Sequence, residues 1–107
     1  SVAGFSWIDF EDNIKAFEDA DVVMKSETTV YIAEAKLLKN KENSLDQCYS
    51  KYVLKYLNQG TRIVCIGLVF NPKNKIADWG VAVFSEAGEI LGEYGHIRLS
   101  NSTTPRN

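Results

Sequence analysis

The stretch Asp21-Val-Val-Met-Lys-Ser-Glu-Thr-Thr-Val-Tyr-Ile-Ala-Glu-Ala-Lys36 decides the fold that we predict for this chain. Two runs rich in β-branched residues flank the polar residues 26–28, which is the pattern of a β-hairpin. Alternation along the second run puts Glu34 and Lys36 on one face of that strand. Antiparallel pairing of the two runs would bring the Asp21 carboxylate beside them.

The E-x-K spacing also indicates a metal site at the end of this strand. Asp21 and Glu34 would supply two close carboxylates, and oxygen ligands of this kind are what Mg²⁺ prefers. The Lys36 ammonium could position an attacking water or stabilise the charge that builds on a phosphate. An acid followed by E-x-K is also the pattern of an exposed charged pair at a strand end. The hairpin context favours the metal-dependent interpretation.

A helix is predicted to begin at Ser44, because Ser44 and Gln47 have the spacing of a capping box. Gly60 supplies its stop signal. Between them, apolar residues recur at the i, i+3, i+4, i+7 spacing of a single helix face. This stripe consists of Leu45, Cys48, Tyr49, Tyr52, Val53, Tyr56 and Leu57. We therefore expect one side of this helix to pack on a sheet.

The rest of the chain completes an α/β pattern. Residues 6–18 have apolar positions at roughly helical spacing, which predicts a short amphipathic helix. Arg62–Phe70 is almost wholly apolar and predicts a central strand covered on both faces. Residues 76–85 and 89–94 predict two more strands, and the tail 100–107 is polar. The order α-β-β-α-β-β-β predicts an α/β fold with a mixed central β-sheet flanked by helices.

Length and composition limit the chain to one compact domain, residues 1–107. A chain of 107 residues, 45% of them hydrophobic, is long enough for one core and too short for two independent domains. No apolar run approaches the length that crosses a bilayer. We therefore expect a soluble protein without a membrane partner, in the cytoplasm or, as the alternative, secreted. The domain could also be a fragment of a larger protein or form a homodimer.

The cysteines and the histidine restrict the kind of site that the chain can build. Cys48 and Cys65 are far apart in the sequence and lie in apolar surroundings, which favours two buried free thiols over a disulfide. His96 is the single histidine, which leaves little for a zinc site of His/Cys type or for a Ser-His-Asp triad. Catalysis would have to rest on carboxylates, lysines and a hard metal.

The formal net charge of −2 hides an asymmetry along the chain. Residues 1–35 hold eight acids against two lysines, whereas residues 36–75 hold eight cations against two acids. A basic middle can present a basic face to a polyanion, although an ordinary solvated surface of mixed charge is the competing interpretation. We expect nucleic-acid contacts from Lys39, Lys41, Lys51 and Lys55.

Six stretches together resemble a known family. They are Ala20-Asp-Val-Val23, Val30-Tyr-Ile-Ala-Glu-Ala-Lys36, Ser44-Leu-Asp-Gln47, the tyrosine-rich helix, Arg62–Phe70 and Ile76-Ala-Asp-Trp79. The set spans about residues 20–85 and resembles the PD-(D/E)xK (restriction-endonuclease-like) nuclease superfamily, especially the branch whose domains follow an AAA-ATPase-like module. Two positions depart from the family pattern: Ala20 stands where a proline is usual, and Lys51 where some relatives have a tyrosine.

The resemblance implies a restriction-endonuclease-like core that hydrolyses phosphodiester bonds in DNA or RNA. Asp21 and Glu34 would bind Mg²⁺ or Mn²⁺, with the backbone carbonyl of Ala35 as a further ligand. Lys36 would lie near the attacking water, and Gln47 would shape the site from the helix. Two alternatives remain: a catalytically inactive nuclease-like interaction or nucleic-acid-binding module, and a secreted nuclease toxin domain.

Overall fold

A computed structural model describes residues 22–100 of the chain. Its strands are β1 (Val22–Ser26), β2 (Thr29–Leu37), β3 (Arg62–Phe70), β4 (Ile76–Phe84) and β5 (Ile90–Gly95). Between β2 and β3 lies a helical segment that consists of α1 (Ser44–Cys48) and the π-helical turn Tyr49–Val53. The helix predicted over residues 6–18, Asp21 and all but the first residue of the predicted tail lie outside the described residues.

The five strands form one mixed sheet in the order β1-β2-β3-β4-β5. β2 and β3 run parallel, and every other neighbouring pair is antiparallel. A parallel pair needs a long crossover because the chain must return to the same end of the sheet, and the helical segment provides it. The predicted α/β fold with a mixed sheet is confirmed, with one helical segment rather than several among residues 22–100.

The predicted strands agree closely with the observed ones. The hairpin forms with Ser26 opposite Thr29, and Glu27 in its turn adopts a left-handed φ of 46°. β3 has the predicted bounds, whereas β4 ends one residue early and β5 is shifted by one residue. Runs of β-branched residues between turns were therefore sufficient to locate the sheet.

The start of α1 differs from the prediction. Asn43 is the N-cap, because its Oδ1 accepts hydrogen bonds from the backbone N–H groups of Leu45 (2.9 Å) and Asp46 (3.2 Å). The predicted capping box of Ser44 and Gln47 is therefore wrong. Asn caps a helix as well as Ser does, and here it occupies the position one residue earlier. Ser44 is instead the first helical residue and is buried against the sheet.

The helical segment does not continue as a regular α-helix to Gly60. The N–H of Leu54 donates to the carbonyl of Tyr49 over 3.1 Å, a bond across five residues that widens the turn. Asn58 then adopts a left-handed φ of 58°, and its N–H donates to the carbonyl of Glu86 over 2.7 Å. The helical segment therefore ends before Gly60. The predicted apolar stripe is confirmed, since all its members lie in the core or pack against it.

Cys48 and Cys65 form a disulfide, so the prediction of two free thiols is wrong. Cys48 lies on the packed side of the helical segment and Cys65 on the buried face of β3, and both are fully buried. Their Cα atoms are 6.0 Å apart, a separation that a disulfide spans readily. Residues 17 apart in sequence meet here only because the crossover folds back on the sheet. The bond ties the helical segment to the central strand.

The sheet has two different faces. The first face carries the core, where β3 buries Ile63 and Cys65 beneath the helical segment. On the second face Val64 and Leu68 are half-buried, so β3 alternates instead of being buried on both faces as predicted. Trp79 of β4 pairs with Leu68 and is 43% exposed. Most of the packing among the described residues is therefore on the first face.

The two ends of the sheet also differ. We call residues 36–43 and 70–79 the lysine end, because they contain Lys36, Lys39, Lys41, Lys73 and Lys75. We call residues 25–29, 54–62 and 84–90 the hairpin end, because the β1–β2 and β4–β5 turns lie there. The helical segment begins at the lysine end and finishes at the hairpin end. Within residues 22–100, no helix has the length and apolar character to cross a membrane.

Candidate active site

Glu34 and Lys36 lie on the first face of the sheet near the carboxyl end of β2. Val30 and Ile32 precede them on this face, and the alternation continues to Glu34, which is only 3% exposed. Lys36 is one step nearer the strand end, and its side chain is 16% exposed. Carboxylates are seldom buried this deeply, and buried ionisable groups are frequent at functional sites. Glu34 is therefore a candidate functional residue on structural grounds too.

Glu42 connects Lys36 to Gln47. Its Oε2 lies 3.7 Å from Lys36 Nζ and accepts a hydrogen bond from Gln47 Nε2. The N–H of Glu42 donates to Asn40 Oδ1 over 2.9 Å, which fixes the loop that presents the carboxylate. Two predicted catalytic residues thus meet at an acid that sequence analysis did not single out. Glu42 follows Lys39 and Lys41 in a polar loop, where nothing in the sequence distinguishes it from a solvated charge.

Two glycines beside Glu34 allow other segments to lie close to the sheet. The strand register pairs Glu34 with Gly67 and Gly67 with Gly80. A Cβ at Gly67 would collide with Ser44 Oγ, and a Cβ at Gly80 would collide with the backbone of Ile97. Glycine allows this close approach because it has no side chain. The start of α1 and the chain after β5 can therefore lie directly on the sheet next to the buried carboxylate.

Ser44 places a hydroxyl in the same corner. The residue is 2% exposed, and its Oγ has no hydrogen-bond partner among residues 22–100. A buried polar atom of this kind usually has a partner, so the hydroxyl is available to orient a neighbouring carboxylate or a water. The spacing of Ser44 and Gln47 predicts a cap, so this buried hydroxyl was not among the predicted site residues.

The chain after β5 secures the start of α1. Asn43 Nδ2 donates to the carbonyl of Arg98 over 2.6 Å. The N–H of Ser100 donates to Asp46 Oδ1 over 2.9 Å, and the Ser100 hydroxyl donates to the other carboxylate oxygen of Asp46. These bonds hold the first turn of α1, and with it Gln47, in a fixed position relative to the sheet.

The predicted metal ligands lie only partly within the described residues. Asp21 lies outside them, and the described register of the hairpin ends with Val22 opposite Ala33. Ala35 follows Glu34 on β2. Within residues 22–100 no group of three or more His, Cys, Asp or Glu side chains could hold a metal ion. The carboxylate of Glu34 and a backbone carbonyl are hard oxygen donors that suit Mg²⁺ or Mn²⁺, so a complete ligand set would need Asp21.

The four lysines predicted to contact nucleic acid are all exposed, but they do not form one group. Lys39 and Lys41 belong to the lysine end, in the loop that follows β2. Lys51 and Lys55 lie on the outer side of the helical segment, and Lys55 is part of the hairpin end. Only the first pair is therefore near Lys36.

Lys73 and Lys75 join the lysine end although the sequence analysis did not include them. Both are exposed in the turn between β3 and β4. They come near Lys36 because β3 runs parallel to β2 and so finishes at the same end of the sheet. Sequence spacing alone does not reveal this grouping, since it depends on the direction of the crossover.

An open cleft of about 440 Å³ lies away from this corner, between the helical segment and the hairpin end. It is lined by Asp46, Tyr49, Gly88, Glu89, Ile90 and Leu99. None of the predicted site residues lines it. The candidate site is therefore defined by its side chains and not by this cleft.

The first face thus carries a buried carboxylate, an ammonium and an amide next to the lysine end. These groups belong to Glu34, Lys36 and Gln47. Such a set can contribute to holding a hard cation and can orient a water or a phosphate. No protein-family model, curated protein or solved structure matches the chain. Its function therefore has to be argued from these side chains.

Proposed function

We propose that this chain is a metal-dependent nuclease that hydrolyses phosphodiester bonds in DNA or RNA. The observation that carries the proposal is the placement of Glu34 and Lys36 on one face at the carboxyl end of β2, with Gln47 joined to Lys36 through Glu42. The Val22–Ala33 pair supports including Asp21, because Asp21 precedes Val22 in the sequence and Glu34 follows Ala33 on β2.

A restriction-endonuclease-like core is part of the proposal. The hairpin, the helical crossover and the parallel strand β3 supply a mixed sheet with one helix on the first face.

In the proposed reaction Lys36 acts on the phosphate or on the attacking water. Its pair with Glu42 is long and the Glu42 side chain is 63% exposed, so the pair contributes little stability and the ammonium can turn to a phosphate oxygen. Asp21, Glu34 and the carbonyl of Ala35 would hold Mg²⁺ or Mn²⁺. When bound, the metal ion supplies a water of lowered pKa and positive charge beside the phosphate.

The test is cleavage of single- and double-stranded DNA and RNA by the purified chain with Mg²⁺ or Mn²⁺. Glu34→Gln removes a metal ligand and keeps the side-chain size. We expect cleavage to fall by more than about 100-fold, which corresponds to about 3 kcal/mol of lost transition-state stabilisation. Glu89→Gln, an exposed acid at the hairpin end, is the matched control and should cut at the parental rate.

Two outcomes would count against the proposal. A Glu34→Gln protein that cuts at the parental rate would contradict the metal site. A parent chain that cuts none of these substrates with either metal would contradict the nuclease function and favour an interaction or nucleic-acid-binding module.

We also propose that the chain works in an oxidising compartment, as the secreted-toxin alternative requires. The disulfide between Cys48 and Cys65 supports this, because disulfides persist in secreted and periplasmic proteins and are rare in the cytosol. The expected cytoplasmic location is the competing proposal. Thiol labelling of the denatured, unreduced protein from its native cells separates the two: no free thiol supports export, and two free thiols support the cytoplasm.

A further inference from the structure

We propose that the lysine end binds single-stranded nucleic acid, with Lys73 and Lys75 on its phosphates and Trp79 stacked on one of its bases. This inference rests on the nuclease function proposed above, for which it names the substrate class. Its three residues lie outside the set that the sequence analysis assigned to the site.

Positive charge is concentrated at the lysine end. Five lysines there face two acids, Glu42 and Asp78, which leaves a net charge of +3. Both acids have nearby partners, because Glu42 contacts Lys36 and Asp78 Oδ1 lies 3.2 Å from His96 Nδ1. The hairpin end, in contrast, balances three cations against three acids. A polyanion is therefore attracted to one end of the molecule.

The turn between β3 and β4 presents Lys73 and Lys75 in a fixed arrangement. Asn71 Oδ1 accepts hydrogen bonds from the N–H groups of Lys73 (2.9 Å) and Lys75 (3.1 Å). The N–H of Asn71 donates to the carbonyl of Lys75 over 2.9 Å, and Asn74 closes the turn with a left-handed φ of 61°. Among the ion pairs of residues 22–100, none involves either lysine. The backbone of the turn is therefore ordered before binding and carries two exposed lysines, so little loop ordering is needed when they contact phosphates.

This turn is close to the proposed active site. The N–H of Leu38 donates to the carbonyl of Phe70 over 2.8 Å, which joins the end of β2 to the end of β3. Adjacent strands are about 4.8 Å apart, so β2 and β4 are separated by only about 10 Å at this end of the sheet. One strand of nucleic acid can therefore contact both Lys36 and Lys75.

Trp79 favours a single strand over a duplex. Its side chain is 43% exposed on the second face, and its carbonyl accepts hydrogen bonds from the N–H groups of His96 (2.8 Å) and Ile97 (3.1 Å), which fix its backbone. Exposed aromatic rings bind unpaired bases by stacking. A ligand that reaches from Lys36 on the first face to Trp79 on the second must bend around the end of the sheet. A single strand bends in this way easily, whereas a duplex is stiff over such distances.

The test uses the full chain with Trp7→Phe, in which Trp79 is the single tryptophan. Titration with oligothymidylate in EDTA prevents metal-dependent cleavage and should quench the fluorescence of Trp79. Lys73→Ala/Lys75→Ala should weaken binding about tenfold or more and lower the slope of log affinity against log salt by about 1.4. Lys25→Ala/Arg62→Ala, which removes two cations from the hairpin end, is the matched control and should bind like the parent.

A second variant tests the stacking contact. Trp79→Ala should weaken binding of a fluorescently labelled oligothymidylate by roughly 5- to 150-fold, as expected for losing one stacked base. Circular dichroism should show that each variant keeps the parental fold, since the replaced side chains are exposed or, for Lys25, half-buried. A hairpin duplex that binds as tightly as the single strand, unquenched Trp79 fluorescence, or an equal loss in the Lys25/Arg62 control would overturn the inference.

Cleavage measured separately with Mg²⁺ keeps the two proposals apart. Binding that depends on Lys73, Lys75 and Trp79 without any cleavage would support this inference and contradict the nuclease function. Cleavage that does not change in the Lys73/Lys75 and Trp79 variants would contradict this inference and support the nuclease function.

Discussion

The hairpin end and the lysine end of the sheet differ in how their charges are balanced. At the hairpin end, Arg62 Nε donates to Glu86 Oε1 over 3.1 Å, and Ser85 Oγ accepts the N–H of Glu89 over 3.1 Å. At the lysine end, Lys36 is the one lysine of five that takes part in an ion pair within residues 22–100. The hairpin end balances its three cations with three acids, whereas the lysine end carries a net charge of +3 that an external polyanion could neutralise.

This contrast separates the residues that stabilise the fold from those that we propose to act on a ligand. The core packs under the helical segment, which finishes at the hairpin end, while Glu34 and the glycines beside it lie toward the lysine end. Departures from the local rules of folding tend to concentrate at functional sites. Substitutions at the two ends should therefore differ in the size and the kind of their effects.

Breaking the packing near the hairpin end should have the largest effect. Val53 is 2% exposed, and its side chain lies 3.8 Å from where a Cβ of Gly88 would be. Val53→Asp buries a charge without a partner, which costs about 3–5 kcal/mol, so we expect loss of the cooperative thermal transition. Leu54→Asp is the matched control, because Leu54 is 46% exposed, and it should stay within about 0.5 kcal/mol of the parent. Equal melting of the two variants would mean that the helical segment packs by another face.

Removing the disulfide should have the next largest effect and should weaken both ends together. Cys48 and Cys65 close a loop with a sequence separation of 17, and a loop of this size contributes about 3 kcal/mol by restricting the unfolded chain. Cys48→Ala/Cys65→Ala should unfold at a correspondingly lower urea concentration, as should the reduced parent. The double variant is its own control, because reductant should not change its midpoint. Equal midpoints for the oxidised parent and the double variant would contradict the stabilising role.

Filling the space beside Glu34 should have a smaller effect, confined to the lysine end. Gly67→Ala places a Cβ against Ser44 Oγ, and overpacking of this kind costs about 1–3 kcal/mol. Ser44→Ala removes the colliding atom, so the double variant Gly67→Ala/Ser44→Ala should recover most of the loss. Urea unfolding of the four proteins gives the coupling between the two positions. Strictly additive effects would mean that the two residues do not touch.

Sequence periodicity was sufficient for the sheet and for the packed side of the helical segment. β-branched runs located β2 and β3, and the apolar stripe identified Val53 as core, because these features depend on local alternation. The cap was wrong because Asn43 and Ser44 are equally good caps and adjacent. The position of a cap within one residue is decided by tertiary bonds such as that from Asn43 to the carbonyl of Arg98.

The candidate site could be predicted only as far as it is local to β2. Glu34 and Lys36 share a face because of strand alternation, and this was clear from their spacing. Other features depend on where the crossover places distant segments. These are the contact between Glu42 and Lys36, the position of Lys73 and the disulfide partner of Cys48. Local periodicity and spacing do not show such long-range contacts, so these features became visible only in the structure.

Removing the charge pair at the hairpin end should have the smallest effect, visible as a change in pH dependence. The pKa of Glu86 is held below its ordinary value of 4.5, first by a hydrogen bond from its own backbone N–H and then by the Arg62 guanidinium. A lowered folded-state pKa adds stability above the unfolded-state pKa, and this stability is lost as pH falls through the lowered value. The parent should therefore melt slightly above Glu86→Gln near neutral pH, and the difference should vanish in acid. Both side chains are exposed, so solvent screening keeps the difference small. Arg62→Gln removes the guanidinium but leaves the backbone hydrogen bond, so it should keep part of the pH dependence in thermal melts. A difference between parent and Glu86→Gln that grows as the pH falls would show that the carboxylate is not stabilised in the folded chain.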